Sequence, residues 1–140
     1  MTSPNRSFGF DDDVAYMYSH GYCWWLAKGL ADLTGLTPIA VWAKGSIHHV
    51  GVELPNGEVI DIDGVWNRQN WQGFWNRELD YCEDFHVGST SSDEQHWRHI
   101  EETYSPTMLI QDFGLDYTLG EICDTIISIL NRYNLLATTV

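Results

Sequence analysis

A chain of 140 residues is long enough for one domain to bury its own core, and 44% hydrophobic with 14% aromatic residues is a globular composition, not a disordered one. Twenty Asp and Glu against seven Lys and Arg leave a net charge of −13, which repels phosphate backbones and anionic lipid surfaces. That excludes nucleic-acid binding through a basic face and gives no reason to expect a membrane partner.

The start, MTSPNRSFGFDDDVAY, lacks a basic stretch followed by an apolar core, so no signal peptide is expected and the cytoplasm is the expected compartment. The apolar run near 126–130 is far too short to span a bilayer. The three cysteines, Cys23, Cys82 and Cys123, cannot all pair within one chain, and no C-x-x-C occurs, so reduced thiols are expected.

In chain order, residues 1–10 read as a flexible arm ahead of a single domain, and Asp11, Asp12 and Asp13 form an acidic approach to the first helix. That helix is expected over 22–34: Leu26, Leu30 and Leu33 stand at i, i+4 and i+7 with Ala27 and Ala31 alongside. Gly35 is placed to end it in the left-handed conformation. Residues 38–43 (PIAVWA) read as a strand and Lys44-Gly45-Ser46 as a turn. Asn56-Gly57, between two β-branched runs, predicts a hairpin across HHVGVELPNGEVIDIDG. The tryptophan-rich segment 65–79 reads as an irregular or short helical cover over the sheet.

Residues 88–93 read as a loop, followed by a helix to about residue 103 that Ser105-Pro106 breaks. Thr118-x-x-Glu121 is a capping-box pattern, and Ile122, Ile126, Ile129, Leu130 and Tyr133 mark a last helix to about residue 132. The class is α+β, an early helix on a small antiparallel sheet with helices added late.

Cys23 falls at the first turn of the first helix, in HGYCWWLAKGLADLTG. Helix N-termini carry about half a positive charge, which favours thiolate over thiol. His48 and His49 begin one strand of the hairpin, and Asp61 and Asp63 end the other. A histidine can take the thiol proton, and a carboxylate can fix the imidazole tautomer. With a two-residue Asn56-Gly57 loop, strand pairing places Asp61 and Asp63 on the face of His48. A three-residue loop or a bulge places Asp61 with His49 instead.

These residues resemble a family. YCWWLAKGLADLTGL and HVGVELPNGEVIDID, within residues 20–64, look like the NlpC/P60 branch of papain-like cysteine hydrolases. The resemblance implies a papain-like fold with Cys23 as nucleophile, His49 as base and Asp61 as the third residue, where the family usually has histidine. His48 and Asp63 are the alternates. It further implies cleavage of an amide or peptide bond through a thioester, with no cofactor and a peptide or protein substrate; deamidation and acyl transfer use the same triad.

The oxyanion would be held by the Cys23 backbone N–H, with His20 or Tyr22 as second contact. Trp24, Trp25 and Trp42 are candidates for the cleft wall. A different class of reading keeps the fold without the chemistry, as an acidic inhibitor or mimic of phage or mobile-element type that binds a basic protein partner. No metal site is expected: Cys82-x-x-x-His86 has no second ligand pair at zinc spacing, and His96-x-x-His99 with Glu102 reads as a solvated helix face. Cys123 reads as core.

Overall fold

The computed structural model describes residues 4–19, 22–79, 84–89 and 118–136. In chain order these form β1 (Arg6–Ser7), α1 (Asp12–Ser19), α2 (Cys23–Thr34), β2 (Thr37–Ala43), β3 (Ser46–Glu53), β4 (Val59–Asp61), β5 (Gly64–Trp66), α3 (Arg68–Glu78), β6 (His86–Ser89) and α4 (Leu119–Arg132). The fold among the described residues is α+β, four helices on a six-stranded antiparallel sheet of order β1-β5-β4-β3-β2-β6.

Two turns set the geometry of the sheet centre. Lys44 and Gly45, both at positive φ (52° and 73°), join β2 to β3, with Ala43 opposite Ser46. The next hairpin is longer by one residue. Val52 pairs with Ile60 and Glu53 with Val59, and the Leu54 N–H donates to the Glu58 carbonyl at 2.8 Å. Pro55, Asn56 and Gly57 therefore form a three-residue loop, with Gly57 at φ 90°. A register shift between Val41 and Trp42 marks a bulge opposite Ile47–His49.

The sheet separates two apolar clusters. On one face Val50, Val52, Ile60, Ile62 and Val65 meet Leu26, Ala27 and Leu30 of α2, and α4 adds Ile122, Ile126 and Leu130. On the other face Ile39, Val41, Val59 and Trp66 are covered by Trp71, Trp75 and Leu79 on and just after α3. The period-2 alternation of β3 and β4 places these two sets.

The helices follow from local chemistry. Gly35 closes α2 at φ 76°, its N–H donating to the Ala31 carbonyl. The buried stripe of α2 is Cys23, Leu26, Ala27 and Leu30; Leu33, expected on it, is 60% exposed. α1 starts where the Asp11 carboxylate accepts from the Val14 N–H at 3.0 Å, and it buries Val14 and Tyr18, an i, i+4 pair. The tryptophan-rich cover is a regular 11-residue helix, because Asn67 caps it by accepting from the Gln69 and Asn70 N–H groups. α4 has the expected capping box between Thr118 and Glu121. Tyr133 caps its end, 44% exposed, with the Arg6 guanidinium over its ring.

The segment expected as an arm is tied down from Asn5 onward. The Asn5 N–H donates to the Val65 carbonyl, Arg6 and Ser7 pair with Val65 and Gly64, and Phe8 is buried. Gly64, at φ 145°, makes this docking sterically feasible, since a Cβ there would overlap the Arg6 carbonyl. The helix expected up to residue 103, the Ser105-Pro106 break and the Cys82, His96, His99 and Glu102 positions lie outside the described residues. No helix among the described residues is long and apolar enough to cross a membrane.

Candidate active site

The three-residue hairpin loop puts Asp61 on the same face of the sheet as His49. Asp61 Oδ2 accepts from His49 Nε2 at 3.0 Å, and both residues are buried. Gly51 lies between them across the strands. A Cβ there would stand 2.8 Å from the Ile60 carbonyl and 3.1 Å from the Trp71 ring, so glycine lets the indole approach.

Four donors converge on the Asp61 carboxylate. Oδ2 accepts from Trp71 Nε1–H at 3.0 Å as well as from His49. Oδ1 accepts from Trp66 Nε1–H at 2.9 Å and from the Asp63 backbone N–H at 3.0 Å. Such a carboxylate is satisfied at every lone-pair direction. Burial alone would raise its pKa, but His49 and the two indole donors outweigh burial and hold it below its ordinary value. Trp75 completes the enclosure, its ring stacked on the imidazole with centroids 4.2 Å apart.

An ionised carboxylate only accepts, so His49 Nε2 carries a hydrogen and Nδ1 is the nitrogen that titrates. Nδ1 is buried and makes no aligned hydrogen bond within the protein. Burial would push the imidazole pKa down; the Asp61 hydrogen bond and the neighbouring Cys23 sulfur overcome it and raise it to about 10. Cys23 raises it as a hydrogen-bonding neighbour first and through its charge second, although the contact to Nδ1 is not a well-aligned bond. It opens α2 with 9% of its surface exposed. No acidic side chain occupies the first turn of α2, so nothing there offsets the positive end of the helix.

Cys23, His49 and Asp61 are therefore brought together. The alternates are not. His48 is exposed and its Nε2 faces the Ala43 carbonyl at 3.2 Å, on the far side of the strand from Asp61. Asp63 reaches the site through its backbone N–H, while its side chain lines a pocket beside Trp75. With His48 and His49 pointing apart, the two imidazoles do not converge on one metal. Among the described residues no group of three or more His, Cys, Asp or Glu is gathered as a metal site.

The residues expected around the cleft are dispersed. Tyr22 is buried edge-on against Tyr18, and its backbone N–H donates to the Met17 carbonyl at 3.1 Å. Trp24 and Trp25 pack half-buried against the α2 side of the core, Trp25 beneath the Lys28 ammonium. Trp42 stacks on His86 with centroids 5.9 Å apart. His20 lies outside the described residues. Cys123 is buried, its thiol pushed up to about 11 by burial and by Asp124.

Sequence reasoning missed Trp66, Trp71 and Trp75. Two signals pointed to them. Trp71 and Trp75 stand at i, i+4, one face of a helix, and Trp66 follows Asp61 by the length of a tight hairpin.

No family model matches this chain, and no curated protein or solved structure resembles it at a significant level.

Proposed function

We propose that the protein is a papain-like cysteine hydrolase, of NlpC/P60 type, that cleaves an amide or peptide bond through Cys23, His49 and Asp61. One observation carries the reading. A buried imidazole is held at Nε2 by a fully satisfied carboxylate, while its unpartnered Nδ1 neighbours a cysteine at a helix start.

In this mechanism the Cys23 proton is held on His49 Nδ1, and the sulfur attacks the scissile carbonyl carbon. The resulting oxyanion is met by the Cys23 backbone N–H at the positive end of α2. Collapse breaks the C–N bond as Nδ1–H protonates the leaving amine, leaving a thioester. Nδ1 then takes a proton from water, the hydroxide attacks, and the C–S bond breaks. The products are a carboxylic acid and the regenerated thiol. Asp61 keeps its hydrogen bond to Nε2 throughout and stabilises the imidazolium without taking its proton.

The test is the iodoacetamide labelling rate of Cys23, mapped by mass spectrometry from pH 5 to 9. An unassisted thiol slows about tenfold per pH unit below its titration. Assistance by His49 predicts labelling that stays substantial at pH 6 and drops at least tenfold in His49→Gln, with near-ultraviolet circular dichroism of the indoles confirming the fold. Equal rates in wild type and a folded His49→Gln would remove the mechanism.

A further inference from the structure

The imidazole of His49 lies against two indoles from α3, and they meet it differently. Trp71 is tilted at 50° with ring centroids 5.9 Å apart, and its N–H is committed to Asp61. Trp75, one helical turn on, lies nearly parallel to the imidazole at 23° with centroids 4.2 Å apart. Phe74 stands edge-on to Trp75 at 5.4 Å and braces it. Trp75 also lines a solvent-open pocket between α1 and α3, while His49 itself is wholly buried, so the indole separates the imidazole from solvent on that side.

The residue type at 75 is informative. The Trp75 indole N–H is buried with no acceptor among the described residues. An unpaired buried donor costs free energy, and phenylalanine would give a flat ring contact without that cost. What tryptophan adds is the ring face that attracts a cation most strongly, within about 6 Å of its centroid. A neutral imidazole gains little from such a face. An imidazolium gains charge stabilisation, and more where water is excluded. The groups that act on the ring by charge or hydrogen bond are Asp61 from β4 and Cys23 from α2; β2 sets Val41 opposite it, and α3 offers the indoles. A single aligned hydrogen bond at Nε2 leaves the imidazole free to turn about that axis, and the flat face of Trp75 removes that freedom.

We propose that Trp75 is a positioning residue for His49: its indole face fixes the plane of the ring and stabilises the imidazolium form. Its part in catalysis rests on the hydrolase reading; its effect on the charge state of His49 does not.

The experiment changes the electronics of the ring and keeps its shape. The full chain is made by cell-free synthesis with histidine carrying 13C at Cε1 and with 4,5,6,7-tetrafluorotryptophan at position 75 alone. The His49 resonance, identified by its absence from His49→Gln, is titrated by NMR from pH 5 to 11. Fluorine withdraws electron density from the indole face, so the His49 pKa should fall by about half a pH unit or more, the order expected of a desolvated cation on a ring. The milder 5-fluorotryptophan should give a smaller fall, and the other histidines should keep their wild-type titrations. An unmoved His49 pKa in the tetrafluoro protein overturns the proposal, as does a fall shared by the other histidines. Cys23 labelling in wild type and His49→Gln is read separately. A lowered His49 pKa beside labelling indifferent to His49 keeps the role of Trp75 and removes the hydrolase; labelling that needs His49 beside an unmoved pKa does the reverse.

Discussion

Replacing Asp61 by asparagine changes one atom in a site built around four donors. With the carbonyl of the new side chain kept toward Trp66 and the Asp63 N–H, its amide would face His49 Nε2 and Trp71 Nε1–H, donor against donor. His49 escapes by moving its hydrogen to Nδ1, which removes the base. Trp71 has no such escape, and a buried unsatisfied donor costs about 1–3 kcal/mol. Removing one partner of a buried charged pair costs about 3–5 kcal/mol, a figure that already includes such orphaned groups. We expect Asp61→Asn to destabilise the fold by about 3–5 kcal/mol, a large share of the roughly 5–15 kcal/mol typical of a domain.

The sign of the pH dependence makes the test sharper. His49 titrates near 6.5 when unfolded and at about 10 when folded, so the folded chain holds the extra proton between those values. This stabilisation is complete below pH 6.5 and is lost as pH rises toward 10, at no more than about 1.4 kcal/mol per pH unit. Asp61, lowered by folding, contributes above its ordinary value of 3.8 and loses that contribution only as pH falls below it. In Asp61→Asn the largest influence raising the imidazole pKa is lost and Cys23 alone works against burial, so the slope between 6.5 and 10 is reduced. Urea unfolding of both proteins at pH 6, 8 and 9.5 should show a stability gap widest at pH 6 that narrows as pH rises. A cost under about 1 kcal/mol, or a gap that holds constant to pH 9.5, would refute the reasoning.

Gly51→Ala places a methyl against the Ile60 carbonyl and the Trp71 ring; overpacking of this kind costs about 1–3 kcal/mol, and displacement of Trp71 should slow Cys23 labelling at pH 6 as well. A stable variant with unaltered labelling would show that Trp71 does not hold the site. Gly64→Ala drives a Cβ into the Arg6 carbonyl, so β1 should detach. Hydrogen exchange would then show lost protection at Asn5 and Val65, with β3 still protected, whereas an unchanged pattern would place the docking of β1 elsewhere.

What was readable in the sequence was chemistry and period; what was not readable was a count of one. Asn56-Gly57 announces a turn, but whether Pro55 belongs to the loop decides which face Asp61 occupies. A two-residue loop sets Asp61 with His48, and the observed three-residue loop sets it with His49. α2 was legible because its apolar stripe and its Gly35 stop agree, and α4 because Thr118 and Glu121 cap each other. α3 was obscured because Asn, Gln, Gly and Arg fill its outer face, leaving only Trp71 and Trp75 to carry the period. β1 was invisible: two exposed residues have no pattern, and their pairing depends on Gly64, nearly sixty positions away. The cleft tryptophans were misplaced for a related reason. Aromatic residues next to Cys23 in sequence point along α2, whereas those next to His49 in space come from α3.

The arrangement around Asp61 is itself an argument about function. Burying an imidazolium and a carboxylate together brings a desolvation cost of several kcal/mol per ion, and well-packed apolar residues of equal volume are often as stable or 1–4 kcal/mol more so. Stability alone therefore does not account for the pair. Trp66 and Trp71 commit their indole N–H groups to it, Gly51 gives up a side chain for it, and Trp75 lies flat against the ring. Every lone-pair direction of the carboxylate is answered, yet one nitrogen of the imidazole is not. A purely structural histidine would be expected to have both nitrogens satisfied, since an unanswered buried nitrogen costs free energy and an apolar neighbour could replace it. The nitrogen left over is the one beside Cys23, and the groups around it fix which proton it holds and in which direction it can move.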